Sequence, residues 1–189
     1  MITTESPELL NGGKFDLSNT PDLLPAIAIL ALKSEKPIEM FNVKHARYKE
    51  TDRIAILSRE LKKIGLDVEE KEDGMIIRKS GELHPAELDS ENDHRMFMAF
   101  SIVGMFIGDC TVSDPDAVKV SYPEFIEDMK NVVNWHQKAH YEPEGKVIKE
   151  KKRTQSNKKK KRIIYSYANQ LDDHIMSLIH ISEPTRRNP

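Results

Sequence analysis

The amino-acid sequence predicts a mixed α/β layer structure in which helices cover short sheets, and three observations predict it. Helical segments with apolar periodicity alternate with short strand-like runs, Asp73-Gly74 sits between two such runs as a hairpin turn would, and two segments are apolar on every side, as buried helices are.

In chain order, "LSNTPDLLPAIAILALKSE" follows a polar lead and reads as a helix entered through Thr20, a capping residue, and Pro21, which tolerates a first turn. Its middle, "AIAILAL", has no polar face, which predicts burial all round. "PIEMFNV" reads as a short strand. The next helix opens near Glu50 or Thr51, places Ile54, Leu57, Leu61 and Ile64 on one face, and stops at Gly65. "DVEEKEDGMIIRK" supplies the hairpin. Asn92 and Asp93 are good caps for "HRMFMAFSIVGMFIG", a third helix without a polar face that ends at Gly108. "CTVSD" and "VKVSY" are strand-like, and "PEFIEDMKNVVNW" closes the fold as a helix. The order of apolar positions is lost from about His136, and "KVIKEKKRTQSNKKKKR" has the composition of a disordered basic segment. No internal repeat stands out at a fixed period.

The 189 residues suffice for one ordinary domain or part of a larger one. No apolar run approaches the roughly 18 residues of a membrane helix, and residues 1–10 lack the basic start and apolar stretch of a signal peptide. A cytoplasmic protein without a membrane partner is expected. Cys110 is the one cysteine, so it forms no intramolecular disulfide and reads as a small buried apolar residue. The net charge of −2 conceals two unlike parts, because residues 1–130 sum to −9 and residues 131–189 to +7. Charge alone therefore argues against nucleic-acid binding by the acidic part. Its cations nevertheless gather locally, in "KHARYKETDR" and at Arg95.

That gathering raises a chemical question. Arg47, Lys49 and Arg53 crowd the start of a helix, where the helix dipole already favours negative charge, and Arg95 lies in the first turn of the next long helix. A guanidinium beside unpaired helical N–H groups suits a carboxylate or phosphate, and two such starts suit a small molecule carrying both. The competing reading is ordinary ion pairing with Glu50, Asp52 or Asp93. Asp16, Asp22, Glu50 and Asp93 place carboxylates near these cations, as proton transfer in a charged site requires, although each singly reads as a cap or solvated acid. His45 and His94 are further donors. No ligand spacing of the HExxH kind, glycine-rich phosphate loop or G-x-S-x-G elbow is present.

Taken together, "FDLSNTPD", "RYKETDRI", "ENDHRMFMAFS" and "DPDAVKVSYPEF" resemble, in order and spacing, four consecutive motifs of the 3-phosphoshikimate 1-carboxyvinyltransferases, the EPSP synthase family, and most of all its archaeal members. The resemblance runs over about residues 10–130. It implies domains built from β-α-β-α-β-β units, of which residues 1–134 would be a C-terminal part. It implies transfer of the carboxyvinyl group of phosphoenolpyruvate to the 5-hydroxyl of shikimate 3-phosphate, in aromatic amino-acid biosynthesis, with no metal or organic cofactor. It also implies roles for residues. Asp16 would be the base beside the reacting hydroxyl, Lys49 would contact the shikimate ligand and share proton transfer with Glu50, and Arg53 and Arg95 would hold phosphoenolpyruvate with His94 beside them. His45 stands where many members have asparagine and is kept as a substrate contact. Lys119 is one step from the position where some members have lysine, which on a strand turns it to the other face. Only about the last third of the family's length is resembled, so the missing N-terminal part becomes an expected partner.

The far end resembles something else. "SLIHISEPTR", residues 177–186, is similar to the translation of a transposase adapter used to prepare DNA sequencing libraries, which implies that 135–189 is read-through. The rival readings are a basic tail that binds nucleic acid and a split half or non-catalytic remnant that needs a partner chain.

Overall fold

Gly13–Asp16 (β1), which the sequence analysis did not mark, is the first strand among the described residues and lies at a sheet edge, and parallel pairing with Ile38–Phe41 (β2) requires a crossover between them. In this computed structural model, which describes residues 9–140 and 162–165, the crossover is helical over residues 21–33. It consists of a 3-10 turn Pro21–Leu23, the α-helix Leu24–Ile29 (α1) and a second 3-10 turn Leu30–Lys33. Thr20 precedes it but makes no side-chain cap bond. Leu24, Ala28, Ile29, Ala31 and Leu32 are buried, while Ala26 and Ile27 remain half-buried, so "AIAILAL" is enclosed on most of its circumference rather than all.

From β2 the chain passes through a 3-10 turn, Lys44–Tyr48, into Arg53–Lys63 (α2). Asp52, one residue beyond the expected opening, is the cap, accepting from the Ala55 N–H at 3.0 Å. Gly65 follows the helix with φ +96°, and a Cβ there would lie 2.9 Å from the Glu82 carbonyl oxygen. The hairpin is Leu66–Lys71 (β3) and Gly74–Lys79 (β4). Gly74 serves it in an unexpected way. It is the first residue of β4, and a Cβ would fall 2.0 Å from the Met40 carbonyl oxygen, so its role is to admit the neighbouring strand. The sheet order β1-β2-β4-β3 completes one β-α-β-α-β-β unit.

The same order then begins again. Glu87–Leu88 (β5) pairs in parallel with Cys110–Ser113 (β6) across the helix His94–Ile107 (α3), and a 3-10 turn Pro115–Val120 leads to Phe125–His140 (α4). The "VKVSY" strand expected here is thus mostly a 3-10 turn, begun by Asp114 in the left-handed region and Pro115 at its first position. Two points depart from the expected tail. Helix α4 extends to His140, and Arg162–Tyr165 (β7) pairs antiparallel with the open edge of β6. The adapter-like segment 177–186 lies outside the described residues.

One core joins the units, with Leu24, Leu32, Met40, Leu57 and Ile77 of the first continuous with Phe97, Phe100, Val103 and Phe125 of the second. Among the described residues no helix is long and apolar enough to cross a membrane.

Candidate functional site

Three helix starts converge on one cluster of charge: the Pro21–Leu23 turn before α1, the approach to α2, and the first turn of α3. Arg53 is the first residue of α2 and is 1% exposed, which leaves its guanidinium dependent on protein partners. Asp93 supplies two of them, with Nε donating to Oδ2 at 2.8 Å and an Nη to Oδ1 at 3.3 Å. Asp93 is itself fully buried and also caps α3, accepting from the N–H groups of Arg95 at 2.8 Å and Met96 at 3.3 Å. Thr51 Oγ1 donates to the same carboxylate at 3.2 Å. One carboxylate therefore fastens the start of α2 to the start of α3. Burial pushes the Asp93 carboxyl upward, but the hydrogen bond and charge of Arg53, with the two helix N–H groups, outweigh it and hold its pKa below the ordinary value.

The outer side of Arg53 meets two more acids. One Nη donates to Asp22 Oδ1 at 2.9 Å and the other to Glu50 Oε2 at 2.6 Å. Asp22 also draws Arg95, whose two Nη groups reach its Oδ2 at 3.3 Å and its carbonyl oxygen at 3.4 Å, and the Lys49 ammonium, 3.6 Å from Oδ1. Partial burial works against ionisation of Asp22, yet Arg95, Lys49 and Arg53 prevail and lower its pKa. Lys49, Arg53, Arg95 and Glu50 are thus brought together as the spacing suggested. The ion-pair reading is also correct, because Arg53 and Arg95 each hold a carboxylate.

His94 occupies the first position of α3, half-buried between the cap and Arg95 in sequence. Asp16 stands apart from this cluster, exposed at the end of β1, where it accepts from the Ser18 N–H at 2.9 Å and from Asn42 Nδ2 at 3.1 Å. The Ser18 N–H, then the Ser18 hydroxyl and Asn42, lower its pKa. His45 is exposed in the Lys44–Tyr48 turn. Arg47, counted among the crowding cations, is spent on structure: it pairs with Asp52 and Glu70 and donates to the Glu72 and Lys71 carbonyl oxygens, tying the hairpin tip to the turn that carries His45. Lys119 is exposed and paired with Asp116 at 2.8 Å.

Two contributors escaped the sequence reading. The sequence marks Thr51 only as a helix opener and gives Asn42 no role in the site. Asn42 has φ +59°, a conformation asparagine adopts more readily than most residues, and that is the one local signal it offered.

The family profile described as EPSP synthase (3-phosphoshikimate 1-carboxyvinyltransferase) matches residues 1–129. A 3-phosphoshikimate 1-carboxyvinyltransferase of Nitrosopumilus maritimus is 63% identical over 131 residues, which are 69% of this chain and 31% of that protein. One from Methanococcus aeolicus is 41% identical over 132 residues, 69% of this chain and 30% of that protein. Among solved structures, an EPSP synthase from Acinetobacter baumannii aligns with a TM-score of 0.61 at 29% identity, over 65% of this chain and 30% of that one. The chain spans about a third of the length of the curated relatives it matches.

Proposed function

The chain belongs to the EPSP synthase family, and on that premise we propose that its converging helix starts bind phosphoenolpyruvate for carboxyvinyl transfer to the 5-hydroxyl of shikimate 3-phosphate. The observation that carries this reading is the meeting of Lys49, Arg53 and Arg95 on a single carboxylate position, fixed from beneath by buried Asp93. Two guanidinium groups and an ammonium held in register match the carboxylate and phosphate of that substrate, and holding them in advance removes reorganisation from the reaction.

The reaction then divides between residues. Asp16, oriented by Ser18 and Asn42, accepts the proton of the attacking hydroxyl as its oxygen bonds to the central carbon of phosphoenolpyruvate. Glu50, at the rim beside Arg53, delivers a proton to the methylene carbon, and Lys49 shares that transfer. Glu50, then a carboxylate, takes a proton back from the resulting methyl group as phosphate departs, which restores the double bond. His45 contacts the shikimate ligand and His94 flanks Arg95. No cofactor enters this scheme.

The site as it stands is balanced in charge. Lys49, Arg53 and Arg95 face Asp22, Glu50 and Asp93, so a multiply anionic ligand calls for further positive groups from polypeptide this chain does not span. A stripe of half-buried Met98, Ile102 and Phe106 along α3 offers a face against which that polypeptide would pack. A cytoplasmic setting belongs to the same proposal. The test is phosphate release from the two substrates. The 189-residue chain alone should show negligible turnover, and adding the part of the Nitrosopumilus relative that lies outside the match should restore it. An ordinary enzyme rate from the chain alone would sink the divided-site reading.

A further inference from the structure

Three carboxylates hold Arg53, and they are not equivalent. Asp93 is fully buried and caps α3, so it cannot leave without unfastening a helix. Glu50 is exposed but pairs with Arg53 alone among the cluster's cations. Asp22 touches all three, with Oδ1 taking Arg53 and Lys49 and Oδ2 taking Arg95. That bridging is the arrangement a ligand carboxylate or phosphate would need, two oxygens shared between two guanidinium groups and an ammonium. The Asp22 side chain is 41% exposed and can turn into solvent, while its backbone carbonyl keeps its contact with Arg95.

We propose that Asp22 is an internal counter-anion that occupies the position a ligand's anionic group would take and must be displaced for an anion to bind. The proposal rests on the reading that Lys49, Arg53 and Arg95 form the anion site, and it adds a determinant of affinity to that site. A weakly charged or singly bonded anion competes poorly with an attached carboxylate, and a ligand with two anionic groups competes better. Asp22 thereby sets a threshold of ligand charge.

The test is titration of the 189-residue chain with inorganic phosphate at constant ionic strength, read from the arginine Nε–H resonances, with thermal unfolding of each variant as a control for folding. Asp22→Asn keeps the shape and an acceptor for Arg53 but removes the charge, and it should tighten phosphate binding about tenfold. Adding Arg95→Ala to that variant should erase the gain. Should Asp22→Asn fail to fold, Asp22→Ser removes the same charge with less bulk and is expected to act in the same direction. Unchanged or weaker binding in the uncharged variants, while the parent chain binds phosphate through Arg95, would overturn the proposal and make Asp22 a residue that merely holds the cations in place, leaving the anion site intact. If no variant and no parent chain shifts its arginine resonances with phosphate, the anion-site reading falls and the proposal with it.

Discussion

The two successive units of the fold reuse the same backbone devices and fill them with different chemistry. In the first, Asp16 at the end of β1 accepts from the N–H two residues on, and left-handed Asn42 follows β2. In the second, Asp89 after β5 accepts from the N–H of Glu91, and left-handed Asp114 follows β6. Each left-handed residue reaches back to the loop behind the first strand of its unit, Asn42 to Asp16 and Asp114 to the Asn92 N–H. Each then enters a 3-10 turn and a helix. The contents differ at the helix start. Where α2 opens on buried, triply paired Arg53, α4 opens on buried Phe125, stacked edge-to-face on Phe97 and Tyr122 at centroid separations of 6.3 and 5.7 Å. One scaffold position serves electrostatics in the first unit and packing in the second, and the candidate site lies where the charged start of α2 meets α1 and α3.

The sharpest way to break this comparison is to remove the occupant of each position. Arg53→Met leaves Asp93 buried without its counter-ion and should cost about 3–5 kcal/mol of stability at pH 7. Phe125→Ala should cost about 3 kcal/mol through a cavity. The pH dependence separates the causes. In the parent chain the Asp93 pKa is depressed on folding, so its contribution is fully present above the unfolded value near 3.9 and is lost as pH falls through the folded value. Without Arg53, burial dominates and raises that pKa above the unfolded value, so the penalty should shrink as pH falls from 7 towards about 4. The Phe125→Ala penalty should stay constant over that range. Urea unfolding at several pH values measures both, and a pH-independent Arg53→Met penalty would show that Asp93 is not paired as described.

Weaker supports should divide the same way. Asp52→Ala removes the α2 cap and a partner of Arg47, for an expected loss of about 1 kcal/mol. Tyr122→Phe removes the 2.6 Å hydrogen bond to Asp128 but keeps the ring on Phe125, for about 1 kcal/mol or less. Added salt should narrow the first loss and leave the ring packing behind the second unchanged, as thermal unfolding at two salt concentrations would show.

Much of this is legible in the sequence. The amphipathic face of α2, the capped and apolar α3, the hairpin and the gathering of cations all carry local signals, and the Glu50–Arg53 pair is a spacing of three residues. What sequence withheld was either too short or too long in range. Strands β1 and β5 have four and two residues, too few for alternation to register. The tie between Arg53 and Asp93 spans 40 residues, and no spacing rule reaches that far. The recurrence of the unit is hidden because its shared devices, aspartate turns and left-handed residues, are made from residues common in any loop, while the conspicuous positions diverged from Arg53 to Phe125.

The smallest expected effect tests the finest point of likeness, the left-handed residue itself. Asn42→Gly retains φ +59° without strain and deletes only the amide that reaches Asp16. Because Asn42 stabilises the ionised carboxylate, its removal should raise the Asp16 pKa, but only partly towards the ordinary value, since the Ser18 N–H is the larger influence and remains. A carboxyl-carbon NMR titration of the 189-residue chain reads this directly and needs no turnover. Asn42→Ala should raise the pKa in the same way and also destabilise the chain, because alanine resists the left-handed conformation. If Asn42→Gly leaves the Asp16 titration unmoved, Asn42 resembles Asp114 in backbone alone, and the lowering of the Asp16 pKa rests on Ser18.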